Sequence, residues 1–210
     1  ASAQQTETRS IGSFSGVKAS EAIDVYLKKG DKESIRVEVN SGKTGDVITE
    51  VSGSYLKIHM RDGSYKNTDA KVYVTYVKLD KLSASSAGSI FAEGAIKSGD
   101  MEISASSAGT IDVTVDAMSL ESSSSSAADI ELKGRVKRLT ADASSAGEID
   151  ADDLEAEKVE AEASSGGSIK VNVTKDLVAH ASSGGGIRYR GNPDKSITES
   201  SSGGSVKKSN

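Results

Sequence analysis

Few residues of this chain combine a type and a spacing that fit a known chemistry. The segment 41–44, Ser-Gly-Lys-Thr, resembles the end of a phosphate-binding loop, but the first glycine of such a loop would fall at Val37, inside a predicted strand. A serine triad needs one sharply positioned serine beside a histidine, whereas serine recurs throughout the sequence and the histidines are His59 and His180 alone. We therefore predict a surface turn at 41–44, no catalytic residues and no enzyme activity.

Two charged clusters are stronger candidates for binding. Stacked carboxylates can hold Ca²⁺, but the acidic cluster lacks the Gly-x-Asp spacing of calcium repeats, so we predict a solvated face without a metal or another cofactor. Arg188 and Arg190 flank Tyr189 and are the candidate ligand contacts, suited to an acidic sugar, although the column position of Tyr189 favours core packing. The acidic cluster contains Asp129, Glu131, Glu148, Asp150, Asp152, Asp153, Glu155 and Glu157.

Composition and charge exclude several classes of function. The net charge of −5 leaves no basic field for a phosphate backbone, so nucleic acid is not an expected partner. No apolar run is long enough to span a membrane, and without cysteine there is no disulfide framework or thiolate site. Residues 1–10 are polar, and Ala1-Ser2-Ala3 has the small-x-small form of a secretory cleavage site. We predict a disordered leader over 1–10 and an exported protein.

One phrase recurs seven times in the C-terminal 60% of the chain: two serines, a small residue, a residue that is usually glycine, any residue, and then an aliphatic one. Its spacing is close to 19 residues, which identifies a repeat architecture. The closing aliphatic residues are Ile90, Ile111, Ile130, Ile149, Ile169, Ile187 and Val206.

Apolar and polar residues alternate within each repeat, which is typical of β-strands. The segment 155–162 has helical propensity, but the valine, isoleucine and threonine content of the equivalent segments in other repeats favours strand, so we predict strand there as well. A unit of this length fits one coil of a parallel β-helix, in which equivalent residues stack at about 4.8 Å.

Stacking turns each position of the repeat into a column. We expect the closing aliphatic residues to form one inward column, with thinner inward columns beginning at Leu82 and at Ala84. Glycine or alanine near the corner permits the turn, including positive φ, and the paired serines are expected to exchange hydroxyl hydrogen bonds along the stack or to bond corner backbone groups. His180 lies between inward alanines and is predicted to point outward.

The part of the chain before the repeats differs from them. Residues 11–80 contain alternating segments separated by glycine turns, and seven of the eight aromatic residues lie at or before Phe91. We predict a β-rich section that closes one end of the β-helix and is continuous with the repeats at 81–208, because the first coil would otherwise expose unpaired backbone. The C-terminal end has only Lys207 and Lys208 as protection, which makes it a candidate surface for oligomerisation.

The chain resembles the putative auto-transporter adhesin, head GIN domain family of bacterial envelope proteins, from about Phe14 to Val206. This resemblance implies export, usually behind a signal peptide, and brings no established catalytic residues. It rests on Ala22-Ile23-Asp24-Val25-Tyr26-Leu27 with Gly30-Asp31, on Ile35 to Val39, on Leu56-Lys57-Ile58, on Lys71-Val72-Tyr73-Val74-Thr75, and on Leu79 with Leu82.

The sequence thus predicts an all-β protein, a parallel β-helix of about seven C-terminal coils. The predicted function is a non-catalytic adhesin or recognition scaffold of the cell envelope, in the periplasm or outside the cell, whose partner is a host or envelope surface molecule, either glycan or protein. The alternative is a carbohydrate-active protein, a polysaccharide lyase or a glycan-binding protein. Scarce exposed aromatic residues in the repeats argue against sugar stacking, and the lack of a convergent acid, base and cation argues against lysis.

Overall fold

The structure is a computed structural model that describes residues 4–63 and 69–209. Within them the chain forms a single sixteen-stranded sheet and one short 3₁₀ turn, Thr44–Asp46, which confirms the all-β class. The strands are β1 (Gln5–Arg9), β2 (Gly16–Ala19), β3 (Asp24–Lys29), β4 (Ser34–Ser41), β5 (Val47–Ser52), β6 (Tyr55–Met60), β7 (Asp69–Tyr76), β8 (Lys81–Ala84), β9 (Ser89–Ala105), β10 (Thr110–Ser124), β11 (Asp129–Ala143), β12 (Glu148–Ala163), β13 (Ser168–Ala181), β14 (Gly186–Arg190), β15 (Lys195–Ser200) and β16 (Ser205–Lys208).

The repeats stack in parallel and form a β-solenoid, as predicted. Each of the strands β9 to β13 spans one coil, and Ile111 lies beside Ile130, which lies beside Ile149. Bulges bend the long strands between one side of the solenoid and the next. Residues 148–163 are strand, so the period of the repeat prevails over the helical propensity of that segment, as expected.

The solenoid has two long faces, which we call face A and face B. Face A follows the order β1-β4-β7-β3 and continues through the first part of β9 to β13 into β14 and β16. Face B follows the order β5-β6-β2-β8 and continues through the last part of β9 to β13 into β15. The N-terminal section therefore extends both faces, and it shares one hydrophobic core with the repeats.

The inward columns are those predicted, and they reach further than the repeats. The aliphatic column that runs from Ile90 to Val206 continues across Val25 and Val72 to Val37 in the N-terminal section. Ile149, at its middle, is 1% exposed. Because each inward side chain touches its counterparts above and below, the core is continuous along the axis rather than divided at residue 80.

The serine corners are tight turns with two consecutive residues at positive φ. In the first repeat these are Ser86 (φ 48°) and Ala87 (φ 62°), and the Gly88 amide donates to the Ser85 carbonyl at 2.8 Å, as in a type I′ turn. The Ala87 amide donates to the Ser107 carbonyl of the next coil at 3.0 Å, and each of the next five corners makes the same bond to the coil after it. The predicted hydroxyl bonds between corner serines are not found among the described residues, and backbone bonds join the corners instead.

The residue that follows each corner, glycine in six of the seven repeats and Ala128 in the third, is restricted by close packing and not by its φ angle. A Cβ atom at Gly167 would lie 2.2 Å from the carbonyl oxygen of Ala143 in the preceding coil, and one at Gly147 would lie 2.3 Å from that of Ser124. The expectation that alanine or glycine near the corner takes positive φ is met by the residue before this position, such as Ala87 or Gly166, and the second serine of the phrase adopts positive φ as well. The same turn occurs at Ser20–Ile23, where Glu21 and Ala22 have φ of 58° and 61°, so a corner without the serine phrase precedes the first repeat.

The N-terminal end is closed by antiparallel strands, in agreement with a capping role for this section. β4 pairs antiparallel with β7, β1 with β4, and β5 with β6. The Arg9 guanidinium spans the end of the core, donating to the carbonyl oxygens of Val47 (2.7 Å) and Thr44 (2.8 Å) and to Thr49 Oγ1 (3.0 Å). A disordered leader over 1–10 does not fit residues 5–9, which are held by strand pairing and by Arg9.

The C-terminal end is finished with polar side chains. Every residue of β15 is exposed, and its inward positions, which continue the columns of Leu177, Ala179 and Ala181, carry hydroxyl side chains. These inward residues are Ser196, Thr198 and Ser200.

Candidate binding surfaces

The two arginines predicted as ligand contacts do not converge. Arg190 donates to the Asp152 carbonyl oxygen through Nη2 (2.7 Å) and Nε (3.1 Å), and Nε lies 3.3 Å from the Asp152 carboxylate. Arg190, in β14, therefore bonds to β12, with the coil of β13 lying between them. Arg188 is exposed on face A, in register with Lys170 and Lys207, while Tyr189 stacks beside Val171 and packs partly into the core.

Asp129, Glu131, Glu148 and Asp150 lie on the outer surface of face A, and Asp152 and Asp153 lie in the bulge that follows it. Neighbouring charges compensate the acidic cluster in part. Lys133 Nζ lies 3.6 Å from Asp112 and 3.6 Å from Glu131, and these carboxylates, Asp112 first, raise the pKa of the lysine. Glu148 lies beside Asp129, whose hydrogen bond and negative charge raise the pKa of the Glu148 carboxyl. Across residues 4–63 and 69–209 no three carboxylate or imidazole groups are arranged to hold a metal ion.

Neither histidine has a serine partner among the described residues. His180 is exposed on face B in the column of Glu162 and Glu199, as predicted, and its Nδ1 lies 3.2 Å from Glu199 Oε2. His59 Nε2 lies 3.0 Å from Glu50 Oε1, and its Nδ1 lies 3.0 Å from the Met60 carbonyl oxygen. Partial burial lowers the pKa of His59, but the contacts with Glu50 and Met60 outweigh it, so the pKa lies above the usual value.

The segment that resembles a phosphate-binding loop is a surface turn. Ser41 ends β4, and the 3₁₀ turn Thr44–Asp46 follows with no buried residue. The Thr44 carbonyl oxygen accepts a hydrogen bond from Arg9, so the turn contributes to the cap at the N-terminal end.

A column of aromatic side chains on face A was not predicted. Tyr73, Tyr26 and Phe91 occupy adjacent outward positions, with ring centroids 5.2 Å apart for the first pair and 5.4 Å for the second. The Arg36 guanidinium lies 4.3 Å from the centre of the Tyr73 ring, at one end of the stack. The alternation of these tyrosines with inward valines and leucine signals their outward position, but their register across β4, β7, β3 and β9 follows only from the assembled fold.

This column forms one wall of an open groove of about 660 Å³. Lys28, Thr75 and Glu93 lie on its other side, and Thr8 and Ser34 are at the end nearest the cap. Glu93 lies in a bulge: Phe91 is beside Asp112 and Ala95 beside Thr114, so β9 has two more residues than β10 between these pairs. β12 has a smaller bulge at the same place in its coil, between Asp150 and Asp153.

No helix with the length and apolarity of a membrane span occurs in residues 4–63 and 69–209.

Comparison with protein families gives a match over residues 13–193 to the family described as "Putative auto-transporter adhesin, head GIN domain". Comparison with curated proteins gives no match.

Several solved structures share the fold. A putative adhesin from Bacteroides fragilis has a TM-score of 0.89 at 19% sequence identity, covering 100% of this chain and 98% of its own. A putative adhesin from Parabacteroides merdae has a TM-score of 0.81 at 18% identity, covering 99% and 96%. A putative lipid binding protein from Parabacteroides distasonis has a TM-score of 0.75 at 22% identity, covering 99% and 97%.

Proposed function

We propose that this chain, which belongs to the putative auto-transporter adhesin, head GIN domain family, is an exported, non-catalytic recognition scaffold of the cell envelope. Membership of an adhesin family supports an adhesin-like role and a location at the cell surface or in the envelope.

The observation that carries the proposal is the regularity of the outer surface. Corners repeat with the same backbone bonds from coil to coil, and charged side chains stand in columns along both faces. Catalysis needs one convergent group of acid, base and cation, and the charged groups of the repeats are instead paired or spread along the axis. A repetitive surface suits contacts that recur along an extended partner, because several weak contacts together give useful avidity.

The alternative function, a polysaccharide lyase, would require Arg188 and Asp152 to act as catalytic groups. Arg188 and the carboxylate of Asp152 would have to act on a bound uronate, yet Arg190 already occupies Asp152. Arg188 remains the proposed ligand contact of the pair because it is exposed beside Lys170 and Lys207.

The test combines a binding assay with an activity assay on the purified chain. We expect binding to at least one surface, among arrayed glycans, immobilised matrix proteins and isolated bacterial envelopes. We expect no release of products from pectin, other polyuronates or peptides, with or without added Ca²⁺. Cleavage that Arg188→Ala or Asp152→Ala abolishes would replace the scaffold by an enzyme, and absence of binding to every surface would refute the adhesin-like role.

A further inference from the structure

The aromatic column on face A is not needed to build the sheet. In the regular coils the same outward column continues as Asp112, Glu131 and Asp150, and the strands also pair through these charged residues. Cross-strand aromatic pairs add some stability to any sheet, but that benefit would apply along the whole column. The rings are instead confined to the part of face A where the groove lies.

The rings leave part of their faces uncovered. The Tyr26 and Tyr73 planes are 19° apart and the Tyr26 and Phe91 planes 24° apart, so neighbouring rings are nearly parallel. Carbon atoms in contact are about 3.5–4.0 Å apart, and centroids more than 5 Å apart therefore require that each ring is displaced sideways over the next by a few ångströms. All three side chains are only partly buried. The offset thus leaves a strip of ring face that the neighbouring ring does not cover, and the Arg36 guanidinium lies over the end of the stack at Tyr73.

The rest of the groove supplies hydrogen-bonding groups of both kinds. Arg36 and Lys28 are cationic donors, Glu93 is an anionic acceptor, and Thr8, Ser34 and Thr75 add hydroxyl groups. Among the described residues, neither Tyr26 nor Tyr73 uses its hydroxyl group in a hydrogen bond within the protein. An aromatic wall opposite a row of donors and acceptors complements a ligand that has apolar C–H faces and hydroxyl edges.

The shape of the groove selects an elongated ligand. Its lining comes from β1, β4, β7, β3 and β9, five adjacent strands, which at a spacing of about 4.8 Å span about 19 Å. Its volume of about 660 Å³ lies within the usual range for ligand sites, but it is open to solvent along its length. An open channel across several strands suits a chain molecule better than a compact cofactor.

We propose that this groove is an oligosaccharide-binding site, in which Tyr73, Tyr26 and Phe91 stack against sugar rings and Arg36, Lys28 and Glu93 bond their hydroxyl or carboxylate groups. The proposal rests on the recognition function above and names its ligand class and its site. Glu93 lies in the bulge of β9, where the groove meets the regular coils.

The experiment measures the affinity of the full chain for hexasaccharides of galacturonate, glucose, mannose and N-acetylglucosamine by titration calorimetry. We expect at least one of them to bind the original sequence. Tyr26→Ala should weaken that binding by about tenfold or more, because it removes the central ring, while Tyr26→Phe keeps the ring and should change the affinity by less than about threefold.

The matched control is Tyr55→Ala. Tyr55 is also an outward tyrosine of the N-terminal section beside a cation, Lys18, whose Nζ lies 4.2 Å from the ring centre, but it belongs to face B. Its removal should leave the affinity within about threefold. Circular dichroism of each variant at the titration temperature verifies that the compared proteins are folded.

The outcomes separate this proposal from the recognition function. If a hexasaccharide binds equally well to Tyr26→Ala and Tyr55→Ala, glycan recognition stands and the groove is not its site. If the chain binds a matrix protein, or vesicles of phosphatidylethanolamine and phosphatidylglycerol, but none of the hexasaccharides, the scaffold function stands and the oligosaccharide site is refuted. If it binds none of these surfaces, both proposals fail.

Discussion

The two adjacent glycines Gly166 and Gly167 allow a direct test of what limits the composition of a corner. Gly167→Ala would place a methyl group 2.2 Å from the Ala143 carbonyl oxygen, which accepts the amide of Ser164 at 3.0 Å. The two coils must separate locally by about 1 Å to restore an ordinary contact, at the expense of that hydrogen bond. We expect the free energy of unfolding to fall by about 2–3 kcal/mol, measured by urea denaturation. Ala128 occupies the same position in one natural coil, so the variant should still fold.

Gly166→Ala is the matched control. Gly166 has φ +74°, no atom lies within 4 Å of the point where its Cβ would stand, and alanine occurs at this position in other coils with φ near 62°, as at Ala87 and Ala146. The strain of positive φ and the reduced freedom of the unfolded chain nearly offset each other, so we expect a loss of about 1 kcal/mol or less. A loss at Gly166 equal to that at Gly167 would show that backbone angle, and not contact between coils, decides which residues a corner accepts.

Three further predictions concern the core, the cap and the acidic surface. Ile149→Asp should lower the free energy of unfolding, measured by urea denaturation, by about 3 kcal/mol or more because it buries an unpaired charge. Glu148→Ala should change the same quantity by less than about 0.5 kcal/mol. Equal effects would mean that the inward and outward positions of the strand are inverted. Arg9→Ala should lower the free energy of unfolding by about 1–3 kcal/mol and should speed amide hydrogen exchange first in β1 and β5, because the guanidinium hydrogen bonds that join these strands are lost. An equal increase in exchange rate along the whole chain would refute a local cap. Glu148→Gln should raise the melting temperature at pH 7, because the raised pKa of Glu148 means that the ionised pair with Asp129 destabilises the folded state. The gain should vanish below about pH 4, where the Glu148 carboxyl is protonated in both the folded and the unfolded state. A gain in melting temperature that persists below about pH 4 would exclude this cause.

The repeat made the architecture of the C-terminal part predictable. A column is fixed as soon as the period is known, and so the inward position of Ile149 and the outward position of His180 follow from counting. Local turn chemistry was predicted less well. Serine rarely adopts positive φ, and only the stacked bonds between corners explain why it does so here.

The N-terminal section was predictable as a cap but not in its details. Its strands have no internal period, and pairs such as β1 with β4 join segments whose relation cannot be read from spacing. The aromatic groove was missed for the same reason: Tyr26, Tyr73 and Phe91 are far apart in sequence and meet only because β3 lies between β7 and β9. Besides the alternation of these rings with inward residues, the sequence offered a second signal, the two-residue insertion after Phe91, which lengthens that repeat relative to the next.

The order of strands in the sheet also determines how the protein responds to tension. β1 and β16 lie at opposite ends of face A, so a force applied between them acts along the solenoid axis. The hydrogen bonds between coils lie along that same axis. Under such a force the bonds of one coil break before those of the next, whereas a shearing force would load all of them together. The polar, exposed strand β15 holds the C-terminal end least firmly, so extension should begin there.

Each coil that detaches lengthens the molecule by a large step. A coil of about 19 residues, extended at about 3.3 Å per residue, releases about 60 Å of chain. Successive coils have nearly the same corner bonds and similar cores, so these steps should occur at similar forces. Under tension the repeats should therefore extend gradually, coil by coil, before the capped N-terminal section.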